Sequence, residues 1–209
     1  MSRRPARYVM NLRLDVLLAL ILFCIVAGAT PGPNNMMLMA SGVNFGVRRT
    51  LPHLAGVCGG FALMVALVGF GLDALFRVAP WLSPAMRWAG AAYLLWLAWR
   101  IANSGAVKQG DATSRPLGAL AAAGFQWINP KGWVFALSAL TTYAVSPNYA
   151  TAVFVVALTC LVVSVPCSGV WVLFGAGLRR FLADPRRARP FNWTMAALLV
   201  ASIAPVFWE

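Results

Sequence analysis

Long stretches of this chain carry no ionised side chain. Nothing is charged from Val16 to Val47, from Thr50 to Leu72, from Gly132 to Leu178 or from Pro190 to Trp208. A helix needs about 20 mostly apolar residues to cross the hydrocarbon core of a bilayer, so these runs predict membrane-spanning helices. Six spans are expected: Leu14 to Ser41, Leu51 to Leu75, Ser83 to Asn103, Leu117 to Ala144, Ala150 to Phe174 and Phe191 to Phe207. Arg87 and Arg100 fall near the two ends of the third, where long side chains can reach the interface. Ser146-Pro147-Asn148 predicts a turn before the fifth. The connections are short. Residues 1–13 read as an N-terminal tail and 14–209 as one helical domain.

Two of the spans are interrupted. The first contains Thr30-Pro31-Gly32-Pro33-Asn34-Asn35, and the fourth contains Gln126-Trp127-Ile128-Asn129-Pro130-Lys131-Gly132. A proline removes a backbone donor and clashes with the carbonyl four residues back. In hydrocarbon an unsatisfied backbone group costs several kcal/mol, so such a break survives only where protein packs around it or it lines a polar cavity. Pro31, Gly32 and Pro33 are expected to open the first helix. The half-helix after them would aim its free N–H groups and positive dipole end into the break, where a carboxylate could bind. Asn34 and Asn35 could hydrogen-bond substrate or the freed backbone, or could only cap the half-helix. In the fourth span Gln126 and Asn129 share a face, and Pro130 makes the break. Lys131 could be an internal charge, or could snorkel to the cytoplasmic surface if the span starts late, near Phe125. The breaks fall in the first span of each group of three. That placement predicts an all-α integral membrane protein whose six helices form a 3+3 inverted repeat, with half-repeats at about 14–103 and 117–208 and Pro-broken helices 1 and 4.

Composition supports a membrane class. The 209 residues are 61% hydrophobic and 11% charged, where a soluble domain carries about a quarter charged residues. The net charge of +12 does not signal nucleic acid, because the basic residues sit in short loops between apolar runs rather than on one exposed face. Arg48 and Arg49, then Arg100, Lys108 and Arg115, then Arg179, Arg180, Arg186, Arg187 and Arg189 mark loops 1–2, 3–4 and 5–6 as cytoplasmic, with both termini periplasmic. Arg3, Arg4, Arg7 and Arg13 oppose that orientation, and a translation start at Met10 would leave only Arg13 outside. The tail also imitates a signal peptide ending at Ala27-Gly28-Ala29. Cleavage there would leave five spans.

Chemistry-bearing residues are few. Cys24, Cys58, Cys160 and Cys167 sit in apolar spans without metal-ligand spacing and read as small buried hydrophobes. No cofactor or metal site is expected. His53 could carry a proton or serve as an interfacial hydrogen-bonding histidine. Asp73 could be a proton carrier or an exposed end charge, and Asp15 is a further titratable candidate. A thiol–disulfide electron carrier of similar topology would need a cysteine in each broken span, and the fourth span has none. An intramembrane enzyme would need a nucleophile with a base or a metal cluster, for which one histidine and five carboxylates leave little material. Gly56, Gly59 and Gly60 could support contacts in a homodimer or internal packing.

The segments "TPGPNNMMLMASGVNFGVRRTLPHLAGV" (30–57) and "NPKGWVFALSALTTY" (129–143) resemble the LysE/RhtB family of bacterial amino-acid exporters. The run through Phe45-Gly46, Arg48-Arg49 and Pro52-His53-Leu54 is most similar to the cysteine/O-acetylserine branch. Gly132 stands where alanine is expected. The resemblance implies a multi-pass exporter of the bacterial plasma membrane, driven by the proton-motive force, whose partners are an amino-acid substrate and the lipid bilayer. It leaves the substrate open, including a small molecule that is not an amino acid.

Overall fold

The computed structural model describes residues 6–72, 78–79, 81–103 and 115–201, and every regular element among them is helical. Helix α1 (Ala6–Ala29) stops where Pro31 and Pro33 lack the N–H groups that would serve the Ala27 and Ala29 carbonyls. Helix α2 (Pro33–Leu67) starts with Pro33 at its first turn and ends in a π turn, Val68–Leu72. Helix α3 is Leu82–Ala102, and α4 is Ala119–Phe125 followed by a 3-10 turn, Gln126–Ile128. After Asn129 come α5 (Pro130–Tyr143), α6 (Tyr149–Leu178), a 3-10 turn at Phe181–Ala183, and α7 (Pro185–Ala201).

The apolar stretch Pro33–Gly71 has 39 residues. A straight helix of that length would run about 58 Å, roughly twice the hydrocarbon thickness. It folds back instead at Gly46, whose φ of 75° and ψ of 174° lie in a region open essentially to glycine alone. The Ser41 and Thr50 hydroxyls sit 3.0 Å apart across this corner; in a straight helix nine residues would separate them by about 13 Å. Thr50 also donates to the Gly46 carbonyl at 2.8 Å. The first span therefore passes into the second with one residue of corner, and the expected Arg48–Arg49 loop is the opening turn of the second arm.

Two further boundaries differ from expectation. The sixth span was expected from Phe191, but α7 begins at Pro185 because Asp184 accepts from the Arg186 backbone N–H at 2.9 Å and proline suits the first helical position. Helix α6 runs on to Leu178, past Phe174. The Ser146-Pro147-Asn148 turn is present, and Asn148 caps α6 by accepting from the Thr151 N–H at 3.2 Å.

Helix α2 lies at the centre and packs most extensively on α6, then on α4; α3 packs on α7, and α1 on α6. Glycines set these contacts. A Cβ on Gly42 would come 2.4 Å from the Val172 carbonyl oxygen, and one on Gly175 would come 2.1 Å from that of Met39. The α2 and α6 backbones thus touch in both directions. Gly56 and Gly60, four apart, meet α4 in the same way at the Ala119 oxygen and the Ala123 Cα, while Gly59 faces open space. Met36, Met37, Leu38 and Met39 are all buried against neighbouring helices rather than lipid.

The outer surface is apolar. On α1, Leu18, Leu22 and Val26 recur at four-residue spacing and stand exposed, while Leu20 and Cys24 are buried. On α6, Phe154, Leu158 and Val162 do the same. Soluble monomers rarely show contiguous apolar faces on this scale; hydrocarbon is the solvent that fits them. Inside, the Cys24 and Cys160 sulfurs approach to 3.7 Å between α1 and α6.

Two outcomes follow from this packing. Gly60→Leu should destabilise the protein by about 1–3 kcal/mol through overpacking, while Gly59→Leu should change stability by less than about 0.5 kcal/mol; thermal unfolding in detergent distinguishes them. A mild thiol oxidant should join Cys24 to Cys160. With a protease site placed after Asn103, the oxidised protein should then stay one band on a non-reducing gel, and Cys160→Ser should split in two.

Candidate functional site

The two breaks meet. Lys131, at the start of α5, reaches across to the end of α1, where its Nζ donates to the Thr30 carbonyl at 2.9 Å and the Pro31 carbonyl at 3.4 Å. These carbonyls lie past the last turn of α1, where the helix has ended and no helical N–H reaches them. Asn35 supplies the rest: its Nδ2 donates to Gly28 O at 2.8 Å and to Thr30 O at 3.0 Å. The Thr30 hydroxyl donates back to Val26 O. Asn35 thus bonds the freed backbone, one of the roles expected for it.

Asn34 does something else. Its Nδ2 donates to Gln126 Oε1 at 2.8 Å, and Gln126 Nε2 returns a bond to Asn34 Oδ1 at 3.2 Å. Gln126 is fully buried and also donates to Ala122 O at 2.9 Å. This amide pair ties the first broken span to the fourth. Ser41, which shares a helix face with Asn34 in sequence, bonds Thr50 at the Gly46 corner and takes no part.

Gly32 is the N-cap of α2, with φ −173° and ψ 176°, an extended conformation open to any residue. Space rather than backbone conformation distinguishes glycine here. A Cβ would stand 2.9 Å from Lys131 Cδ and 3.0 Å from its Nζ. With no side chain at Gly32, nothing caps the first N–H groups of α2 from that position. Asn129, the N-cap of α5, makes no capping bond either, and its buried Oδ1 has no hydrogen-bond partner. Two positive helix ends and an ammonium therefore converge on one place. A methyl at Gly132 would meet Met64 Cε at 3.4 Å, so the alanine expected there would nearly fit.

Ahead of Lys131 run the seven-residue α4 and a three-residue 3-10 turn, so the helical segment begins at Ala119 rather than near Phe125. Lys131 therefore stands near the middle of the interrupted helical stretch from Ala119 to Tyr143. Among the described residues no carboxylate pairs with it: Asp15 is exposed and Asp184 lies 3.7 Å from Arg187.

A cavity of about 60 Å³ opens beside these groups. Gly32, Pro33, Asn34, Asn35, Asn129 and Lys131 form its polar side; Val57, Phe61 and Phe135 form its apolar side. Water needs about 10–15 Å³ by this measure, so several waters or a small solute fit. Pro31, Gln126 and Pro130 shape the breaks from behind it.

Ser164 and Ser168 of α6 also line the cavity, and sequence reasoning missed them. The signal was available. Ser164-Val165-Pro166-Cys167-Ser168 is a polar, proline-containing cluster inside an uncharged run, the same kind of irregularity that marked the other two breaks.

The coupling candidates separate. His53 is 2% exposed, and neither ring nitrogen has a hydrogen-bond partner among the described residues. It does not line the cavity. Asp73 lies outside the described residues.

The site is matched by relatedness. A family model described as "LysE type translocator" matches residues 25–207. A protein from Klebsiella pneumoniae called "Cysteine/O-acetylserine efflux protein" is 32% identical over 184 residues, 87% of this chain and 92% of its own. Proteins of the same name from Salmonella typhimurium and Escherichia coli K12 are each 30% identical over 188 residues, 89% of this chain and 94% of theirs. No solved structure matches the chain. The match runs through both breaks and the groups that converge between them, and the chain belongs to the LysE type translocator family.

Proposed function

We propose that the chain is a secondary transporter that exports amino acids or their derivatives from the cytoplasm, using the proton-motive force. The observation that carries this reading is Lys131 held across the two breaks, its ammonium without a described carboxylate partner, beside a small cavity. A substrate carboxylate there would meet Lys131 and the α2 and α5 helix ends. The ammonium of the same substrate would find acceptors in Asn129 Oδ1 and the freed carbonyls. The relatives' names point to cysteine and O-acetylserine as first cargoes to try. An electron carrier is not favoured, since residues 117–144 contain no cysteine.

The paired breaks support the 3+3 inverted repeat, and the loop arginines support cytoplasmic loops with both termini periplasmic. If two copies pair, they use surfaces other than Gly56 and Gly60, which are occupied by α4.

Cells producing the protein should accumulate one or a few amino acids outside. At matched membrane levels, Lys131→Ala should lower that export about tenfold or more, the range for losing a hydrogen bond to a charged group, and Lys131→Arg should retain part of it. Full export by Lys131→Ala would end the carboxylate role. His53 is proposed as the coupling proton site. With no hydrogen bond to lose, His53→Leu should insert normally yet export without response to an imposed pH gradient; an unchanged gradient response would remove His53 from the coupling path.

A further inference from the structure

Ser164, Cys167 and Ser168 stand at i, i+3 and i+4 and share one face of α6. Ser164 donates its proton to Leu161 O at 3.0 Å, which leaves its oxygen lone pairs as acceptors. Ser168 is 5% exposed. Across the cavity the Phe61 and Phe135 rings lie with centroids 4.9 Å apart.

The serine face and the lysine are close. Lys131 Nζ and Asn35 Nδ2 both bond Thr30 O, and Asn35 Nδ2 also bonds Gly28 O. Gly28 in turn faces α6: a Cβ there would be 3.4 Å from Cys167 Cβ. Three hydrogen bonds thus link the ammonium to Gly28, which lies beside the serine turn, and the lysine and both serines line the same small cavity. Neither Asp nor Glu is among the described residues that line the cavity.

We infer that Ser164 and Ser168 form the side-chain subsite of the transported amino acid and select a short, uncharged side chain ending in a hydroxyl, thiol or small ester. The inference rests on the reading that the substrate carboxylate docks at Lys131. A basic side chain would enter without a counter-charge, which burial makes costly. A large one would have to displace the Phe61 and Phe135 rings. A methyl side chain fits but leaves the serine oxygens without a partner.

The test is counterflow in proteoliposomes holding the full chain, preloaded with serine and challenged with labelled serine. Serine, cysteine, O-acetylserine, alanine, leucine and lysine serve as competitors. For wild type, the three polar compounds should compete best, alanine weakly, and leucine and lysine not at all. In Ser164→Ala/Ser168→Ala, run with labelled alanine, competition by serine and cysteine should weaken about tenfold, the range for a lost buried hydrogen bond, while alanine exchange stays within about twofold. Equal weakening of alanine and serine, or competition by lysine as strong as by serine in wild type, would overturn the subsite. If the double variant does not insert, Ser168→Thr keeps the hydroxyl and adds one methyl. It should keep serine and lose O-acetylserine, and retention of both in wild-type proportion overturns the assignment. Absence of any amino-acid exchange by wild type would sink the exporter reading and the subsite together. Robust exchange with an unaltered selectivity in the variants would sink the subsite alone.

Discussion

A carbonyl in hydrocarbon must find a donor, and the break after Ala29 leaves several without one. The two prolines that open the first span end α1 at Ala29, so the carbonyls beyond its last turn find no helical N–H. Gly28, Thr30 and Pro31 then depend on side chains from elsewhere: Asn35 from the next half-helix and Lys131 from a span about a hundred residues away. Each unmet carbonyl would cost several kcal/mol in such surroundings. The requirement that makes the break tolerable is therefore the same one that draws an ammonium to mid-span and holds it there. Gly32 leaves room for the lysine stem, which a Cβ there would push aside.

The framework that holds the breaks in register is built from close backbone contact rather than from interlocked side chains. Gly42 and Gly175 bring α2 onto α6, and Gly56 and Gly60 bring α2 onto α4. The hairpin at Gly46 folds both arms of α2 into one layer, with Leu38 and Val57 in the same buried cluster. Without that corner, Phe61 and Asn35 could not face one cavity. The order of cause runs from small residues, to close helices, to two breaks placed side by side.

Much of this was legible in the sequence. Uncharged runs announced the helices, and proline with asparagine announced the breaks, because hydrocarbon penalises both strongly enough that their presence demands a reason. Gln126, Asn129 and Lys131 were legible for the same cause. What was not legible depends on three-dimensional partners. Nothing in "NN" says that Asn34 reaches the fourth span while Asn35 turns back on the first. Arg48 and Arg49 suggested a loop, yet a single glycine in an unusual conformation did the turning. The α7 start was written in Asp184-Pro185, a cap signal overshadowed by the arginines that follow. Ser164 and Ser168 were passed over because serine is common in membrane helices, and only the cavity distinguishes these two.

The Asn34–Gln126 pair has a property that neither break has alone. Each amide gives one donor and takes one acceptor from the other. Neither amide carries a net charge, so the tie between the two broken spans needs no counter-ion. Turning either amide over would set donor against donor and acceptor against acceptor, so the pair fixes the orientation of both side chains as well as the approach of the helices that carry them.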